Sequence, residues 1–265
     1  MIKLILLFLL ILPPVSYSNS GWIITERTSG KDTDITLEST LYIKDNMIKS
    51  VDQEQQLIFD LNQWKLTVLN TPGENYWDGT PSEYLEEMMA YAIVYLEEEI
   101  RHADELNRPY LEALYEDLKM EIKQADAGIS FIGELPVDIV MTGARDRMLG
   151  YTVDQYVVYV DGIRVEELWL ARDISLEEQY DFEKFRAFSD EMTWGLIFQD
   201  YRSSRQYIHL LKQGLPLKTI ELHEDGSVSV TEATRVEYTE VPEETFMVPA
   251  GWQPMPLSES MTGLY

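Results

Sequence analysis

The stretch Gly150–Ile174, GYTVDQYVVYVDGIRVEELWLARDI, decides how the rest of the chain is read. Tyr156, Val158 and Val160 alternate with Val157, Tyr159 and Asp161, and β-branched and aromatic residues fill the arm. That composition favours a pleated strand with a period of two. Asp161-Gly162 then supplies a tight turn, since Gly takes positive φ without a steric cost. Arg164 to Ala171 runs back and carries Trp169. The stretch predicts one long β-hairpin.

The same alternation recurs on both sides. Trp22, Ile24 and Glu26 open a strand, and Ile35, Leu37, Ser39, Leu41 and Ile43 alternate with Thr36, Glu38, Thr40 and Tyr42. Asp45-Asn46 is a turn signal, with a return strand from Met47 to Val51. Gln56–Leu61 and Trp64–Leu69 form a further hairpin across Asn62-Gln63, and Pro72-Gly73 leads into a short strand at Asn75–Asp78. From Pro81 the period changes. Leu85, Met88, Met89, Ala92, Leu96 and Ile100 follow helical spacing, with Thr80 or Ser82 available as a cap. Pro109 starts a second helix with a stripe of Leu111, Leu114, Leu118 and Ile122. Strands return at Ile129–Ile132 and Val137–Thr142. A helix is expected from a Ser175/Glu178 capping box through Met192, and another over Leu196–Lys212. Leu217–Leu222 and Val228–Tyr238 alternate again around Glu224-Asp225-Gly226, and Pro242–Tyr265 forms an irregular tail. The fold class is therefore α+β, with helices near 81–125 inserted into one antiparallel meander.

The first residues read as a leader. Lys3 precedes an apolar run from Leu4 to Leu12, which is too short to span a bilayer. Pro13 and Pro14 break it, and Ser16 and Ser18 occupy the small-residue positions before a cleavage site. The expected organisation is a signal peptide over 1–18 and a single domain over 19–265. That implies an exported protein with no transmembrane segment in the mature chain; the expected compartment is the periplasm, with secretion as second choice. Cysteine is absent, so the fold has no disulfides and no cysteine for lipid attachment. With 21 basic and 47 acidic residues the net charge is −26, a surface that repels nucleic acid and anionic headgroups.

The chemistry-bearing residues are scattered. His102, His209 and His223 are isolated, and only His102 shares a helix face with a carboxylate, Glu98. There is no metal-ligand spacing, no GxSxG and no phosphate-cradling glycine loop. Acidic residues are so abundant that any glycosidase-like carboxylate pair carries no information. No catalytic residue, metal ligand or cofactor is nominated.

A set of short motifs in fixed order resembles a known family. It comprises Tyr42-Ile43-Lys44 with Met47-Ile48, Ile58-Phe59-Asp60-Leu61, Trp64 to Val68, and Gly150-Tyr151 leading into Tyr156-Val157-Val158. It continues with Glu167 to Ala171, Gly214 to Lys218, and Phe246 to Trp252. Together they resemble an uncharacterised periplasmic domain family related to the lipoprotein-carrier, LolA-like, half-barrels, over roughly Gly21 to Trp252. The resemblance implies a curved antiparallel sheet wrapped around helices, with an apolar space in which carriers of this type hold acyl chains. The long insert after Pro81 and the missing cysteine depart from those carriers.

The expected function is non-enzymatic binding of a hydrophobic ligand: an acyl chain, lipid or lipidated peptide. Leu57, Phe59, Trp64, Leu66 and Val68 are the expected lining residues, on an apolar sheet face that needs helices or a ligand to cover it. The alternative is an adaptor of the cell envelope with a filled core, docking a protein partner through the acidic helices or the aromatic helix around Phe182–Phe188. A continuous internal void separates the two readings.

Overall fold

The computed structural model describes residues 19–30, 36–52, 55–126, 135–193, 200–223 and 225–260. The leader and the segment Ile129–Ile132 lie outside them. Six strands come first: β1 (Ser20–Gly30), β2 (Thr36–Lys44), β3 (Met47–Val51), β4 (Gln55–Asp60), β5 (Lys65–Asn70) and β6 (Asn75–Gly79). Helices α1 (Pro81–His102) and α2 (Arg108–Asp126) follow. Then come β7 (Val137–Met148), β8 (Tyr151–Val160), β9 (Ile163–Ala171), α3 (Phe182–Thr193) and α4 (Arg205–Leu211). The chain closes with β10 (Leu215–Leu222), β11 (Val228–Glu240), β12 (Gln253–Pro254) and α5 (Leu257–Ser260).

The twelve strands among the described residues join one curved, unclosed sheet in the order β12-β6-β5-β4-β3-β2-β1-β11-β10-β9-β8-β7. Every pairing is antiparallel except the short β12 beside β6. The expected α+β half-barrel with helices against it is what forms. The hairpin predicted from Gly150–Ile174 is β8–β9, and Asp161 and Gly162 both take positive φ (54° and 77°) in its turn. Asp45 and Asn46 do the same between β2 and β3, at 50° and 62°. Two consecutive positive φ values match the right-handed twist of the flanking strands. The β4–β5 turn holds a surprise: Trp64 itself sits at φ 57° and is not a strand residue.

Helix α1 starts where composition placed it. Thr80 is the cap: its hydroxyl accepts from the Glu83 amide at 3.2 Å, and the Glu83 carboxylate accepts from the Thr80 amide at 2.7 Å. Helix α2 packs along α1 and away from the sheet, leaving Leu106 and Tyr110 exposed. No helix among the described residues is long and apolar enough to cross a membrane.

The later helices differ from the expected ones. Residues from Ser175 do not form the capping box. Ile174 and Leu176 are buried and pin this segment as irregular chain, and the Gln179 carbonyl accepts from the Asn46 amide at 2.8 Å. The helix starts seven residues later, where the Asp181 carboxylate accepts from the Glu183 and Lys184 amides. In the second case a 3-10 turn at Tyr201–Ser203 ends in Ser204, whose hydroxyl accepts from the Tyr207 amide. Only Arg205–Leu211 is α-helical there among the described residues. A local cap and the burial of two apolar anchors outweigh the longer apolar periodicity.

The core lies on the concave face. Phe188 of α3 is fully buried, with its ring 5.2 Å from that of Trp64 and 6.0 Å from that of Phe59. A second cluster joins Val137, Tyr156, Val158, Leu168 and Leu170 to Tyr207 and Leu210 of α4.

Candidate functional site

Between the concave sheet face and helices α3 and α4 lies a cavity of about 500 Å³. Strand alternation determines who faces it. Ile24, Glu26 and Thr28 follow one another at every second position of β1 and all line the cavity. The β-bulge at this point falls on β11, where Thr234 is skipped, so β1 keeps its period. Leu41 and Ile43 of β2, Ile48 of β3 and Phe59 of β4 continue the apolar wall, and Phe182 and Phe185 of α3 cover it.

The other end is polar. Thr28, Thr231 and Thr219 are register neighbours across β1, β11 and β10, and the Thr28 and Thr231 hydroxyls lie 2.9 Å apart. Next to them Glu166 of β9 is fully buried although it carries a carboxyl group. Its Oε1 accepts from Arg202 Nη2 at 3.1 Å and from the Tyr207 hydroxyl at 3.3 Å. The same Arg202 nitrogen reaches Glu221 Oε1 at 2.8 Å. Glu166 Oε2 is buried with no hydrogen-bond partner among the described residues. Burial raises the Glu166 carboxyl above the ordinary carboxylate range, and Arg202 only partly opposes this. Burial raises Glu26 as well. The Glu26 carboxylate makes no hydrogen bond or ion pair among the described residues.

The five lining residues expected from the sequence are brought together on one part of the sheet. Leu57 pairs with Val68 and Phe59 with Leu66, as the turn implied. Phe59 lines the cavity. Leu66 and Val68 are each 1% exposed and sit inside the packed core. Leu57 and Trp64 pack half-buried against that core, and Trp64 Nε1 donates to Glu191 at 2.7 Å. The cavity itself is displaced towards β1, β2 and the β9–β11 strands. Its polar end carries a signal visible in the sequence: Glu166 alternates with Leu168 and Leu170, a charge placed on a buried apolar face. Arg202 gave no such signal, because its partners come from distant strands.

Elsewhere His102 makes a surface pair with Glu98 at 2.8 Å. No group of three or more metal-ligating side chains occurs among the described residues.

A family model described as a domain of unknown function, DUF4412, matches residues 85–252. The chain belongs to the DUF4412 family. The matched region takes in Glu166, Arg202, Tyr207 and Glu221 but none of strands β1 to β6. No curated protein matches this DUF4412 chain. Among solved structures it is similar to PNGF-II, with 12% identity and a TM-score of 0.39 over 91% of this chain and 32% of that one. It is similar to the MucA/MucB complex of Pseudomonas aeruginosa, with 12% identity and a TM-score of 0.38 over 88% of this chain and 57% of that one. It is also similar to a LolA superfamily protein from Nitrosomonas europaea, with 9% identity and a TM-score of 0.29 over 87% and 90% of the two chains. The DUF4412 chain thus spans about a third of the PNGF-II chain and little more than half of the MucB one. The expected uncharacterised domain family is met by DUF4412, and a LolA superfamily protein occurs among the similar structures.

Proposed function

We propose that this DUF4412 chain is an extracytoplasmic, non-enzymatic binding protein for a ligand with a hydrophobic body. The observation that carries this reading is the cavity of about 500 Å³, apolar along β1 to β4 and α3 and polar at one end. Its size falls within the roughly 300–1,000 Å³ usual for small-ligand sites. Phe59 touches the ligand, and Leu57, Trp64, Leu66 and Val68 stiffen the wall behind it. We take residues 19–265 as one domain, delivered by a leader cleaved between Ser18 and Asn19. Intact mass of exported material tests the cleavage, and retention of 1–18 would refute it.

Leu41 is half-buried and lines the cavity, so Leu41→Trp adds bulk to empty space. A fluorescent fatty acid should bind the wild type, and the variant should bind it about tenfold more weakly, or ~1.4 kcal/mol. Thermal melting should change little. A variant that melts far lower, from a wild type that takes up no probe, would mean that this space belongs to a tightly packed core.

The adaptor reading has one observation of its own. Val94, Tyr95, Leu106 and Tyr110 leave large apolar side chains exposed on the α1–α2 arm. If no hydrophobic probe binds, that arm becomes the surface to test, and Leu106→Asp should then weaken association with an envelope protein.

A further inference from the structure

We propose that the ligand is a cationic amphiphile: an alkyl chain against the apolar wall and an ammonium head held by Glu26. This deepens the binding reading above and rests on it. The argument starts from charge. The cavity is lined by three carboxyl groups, Glu26, Glu166 and Glu221, and one guanidinium, Arg202. Arg202 is already matched, since a single one of its nitrogens lies within 3.1 Å of Glu166 and 2.8 Å of Glu221. A carboxylate head would find no free cation there among the described residues. It would instead face Glu26 and the unpartnered Oε2 of Glu166.

Two orphan acceptors call for a donor. Glu166 Oε2 is buried in a fully buried residue, and such a group is costly to leave unpaired. Glu26 is half-buried beside apolar neighbours and has no countercharge among the described residues. Its place on β1 is two residues from Ile24, whose cross-strand partner is Leu41. Glu26 therefore marks the point where the apolar wall ends. The threonine row, Thr28, Thr231 and Thr219, continues from it towards Glu166. The two strands that carry Glu26 and Glu166 are three steps apart in the sheet, roughly 14 Å at the usual strand spacing. One ammonium thus pairs with Glu26, and its remaining protons face the threonine hydroxyls. The Glu166–Arg202–Glu221 group forms the far wall and keeps that end negative. Burial holds the Glu26 carboxyl above its ordinary range, and an ammonium beside it supplies the countercharge that favours its ionised form.

The test compares three ligands of equal chain length below their micelle concentrations: dodecylammonium, dodecanol and dodecanoate. Displacement of an environment-sensitive dye and isothermal titration at neutral pH read their affinities. Dodecylammonium should bind at least about tenfold tighter than dodecanoate, with dodecanol between them. Glu26→Gln should remove most of the preference for dodecylammonium over dodecanol and dodecanoate, and melt no lower than the wild type. Equal affinities for all three heads, or tighter binding of dodecanoate, would overturn the cationic-head proposal while leaving the hydrophobic cavity standing. Binding of none of them would overturn both. The wild-type comparison needs no variant, so it decides the matter even if Glu26→Gln fails to fold.

Discussion

Arg202→Ala should cost about 3 kcal/mol of stability at neutral pH, the lower end of the usual loss when one partner of a buried ion pair is removed. The lower end is expected because Arg202 is 35% exposed while Glu166 is fully buried. The damage comes from Glu166, whose buried carboxyl loses the guanidinium that compensates its ionised form. A buried carboxyl with a raised pKa holds its proton more tightly folded than unfolded. Stability therefore rises as pH falls through the folded-state pKa, and the penalty is complete above it. Loss of Arg202 removes the main influence that opposes burial, so the raised value climbs further. The gap between wild type and variant should narrow as pH falls from neutral towards the ordinary glutamate value of 4.5. Chemical denaturation across that range measures it. A gap that does not change with pH would show that Glu166 is not the group being left uncompensated. The double variant Arg202→Ala, Glu166→Leu should recover much of the loss.

Phe188→Ala should be the most damaging single truncation, at about 3–5 kcal/mol. Phe188 is 0% exposed and is the point where α3 is fastened to the sheet, through Phe59 and Trp64. Removing the ring leaves a void beside fixed strands, which collapse little. Because α3 also roofs the cavity through Phe182 and Phe185, ligand uptake should fall together with stability. Denaturant midpoints and a dye titration on the same samples check both. Near-wild-type stability would mean that α3 is held by something other than this aromatic contact.

The strands were legible because their side chains alternate. β8–β9, β2–β3 and β4–β5 each carry a period of two and end in turn residues, so both type and register follow from local sequence. The α1 cap was legible for the same reason: Thr80 and Glu83 act within four residues of each other. Failure came where long-range packing competes with local pattern. Ser175 and Glu178 satisfy a capping rule, yet burial of Ile174 and Leu176 forces that segment to stay irregular. The site was half legible. Phe59 could be placed on an apolar face from its alternation, and so could the odd presence of Glu26 and Glu166 on such faces. No local pattern shows that β1, β9 and β10 converge with Arg202, because the sheet order puts the last strands beside the first.

The cavity's occupancy is the most direct test of the account. Native mass spectrometry of protein purified gently, without detergent, should show the mature chain with one small amphiphile bound at one-to-one stoichiometry. Leu41→Trp prepared in the same way should carry markedly less of it. A wild-type chain that is bare as isolated, and that stays bare after incubation with dodecylammonium, dodecanol and dodecanoate in turn, would contradict a ligand-binding role for this cavity.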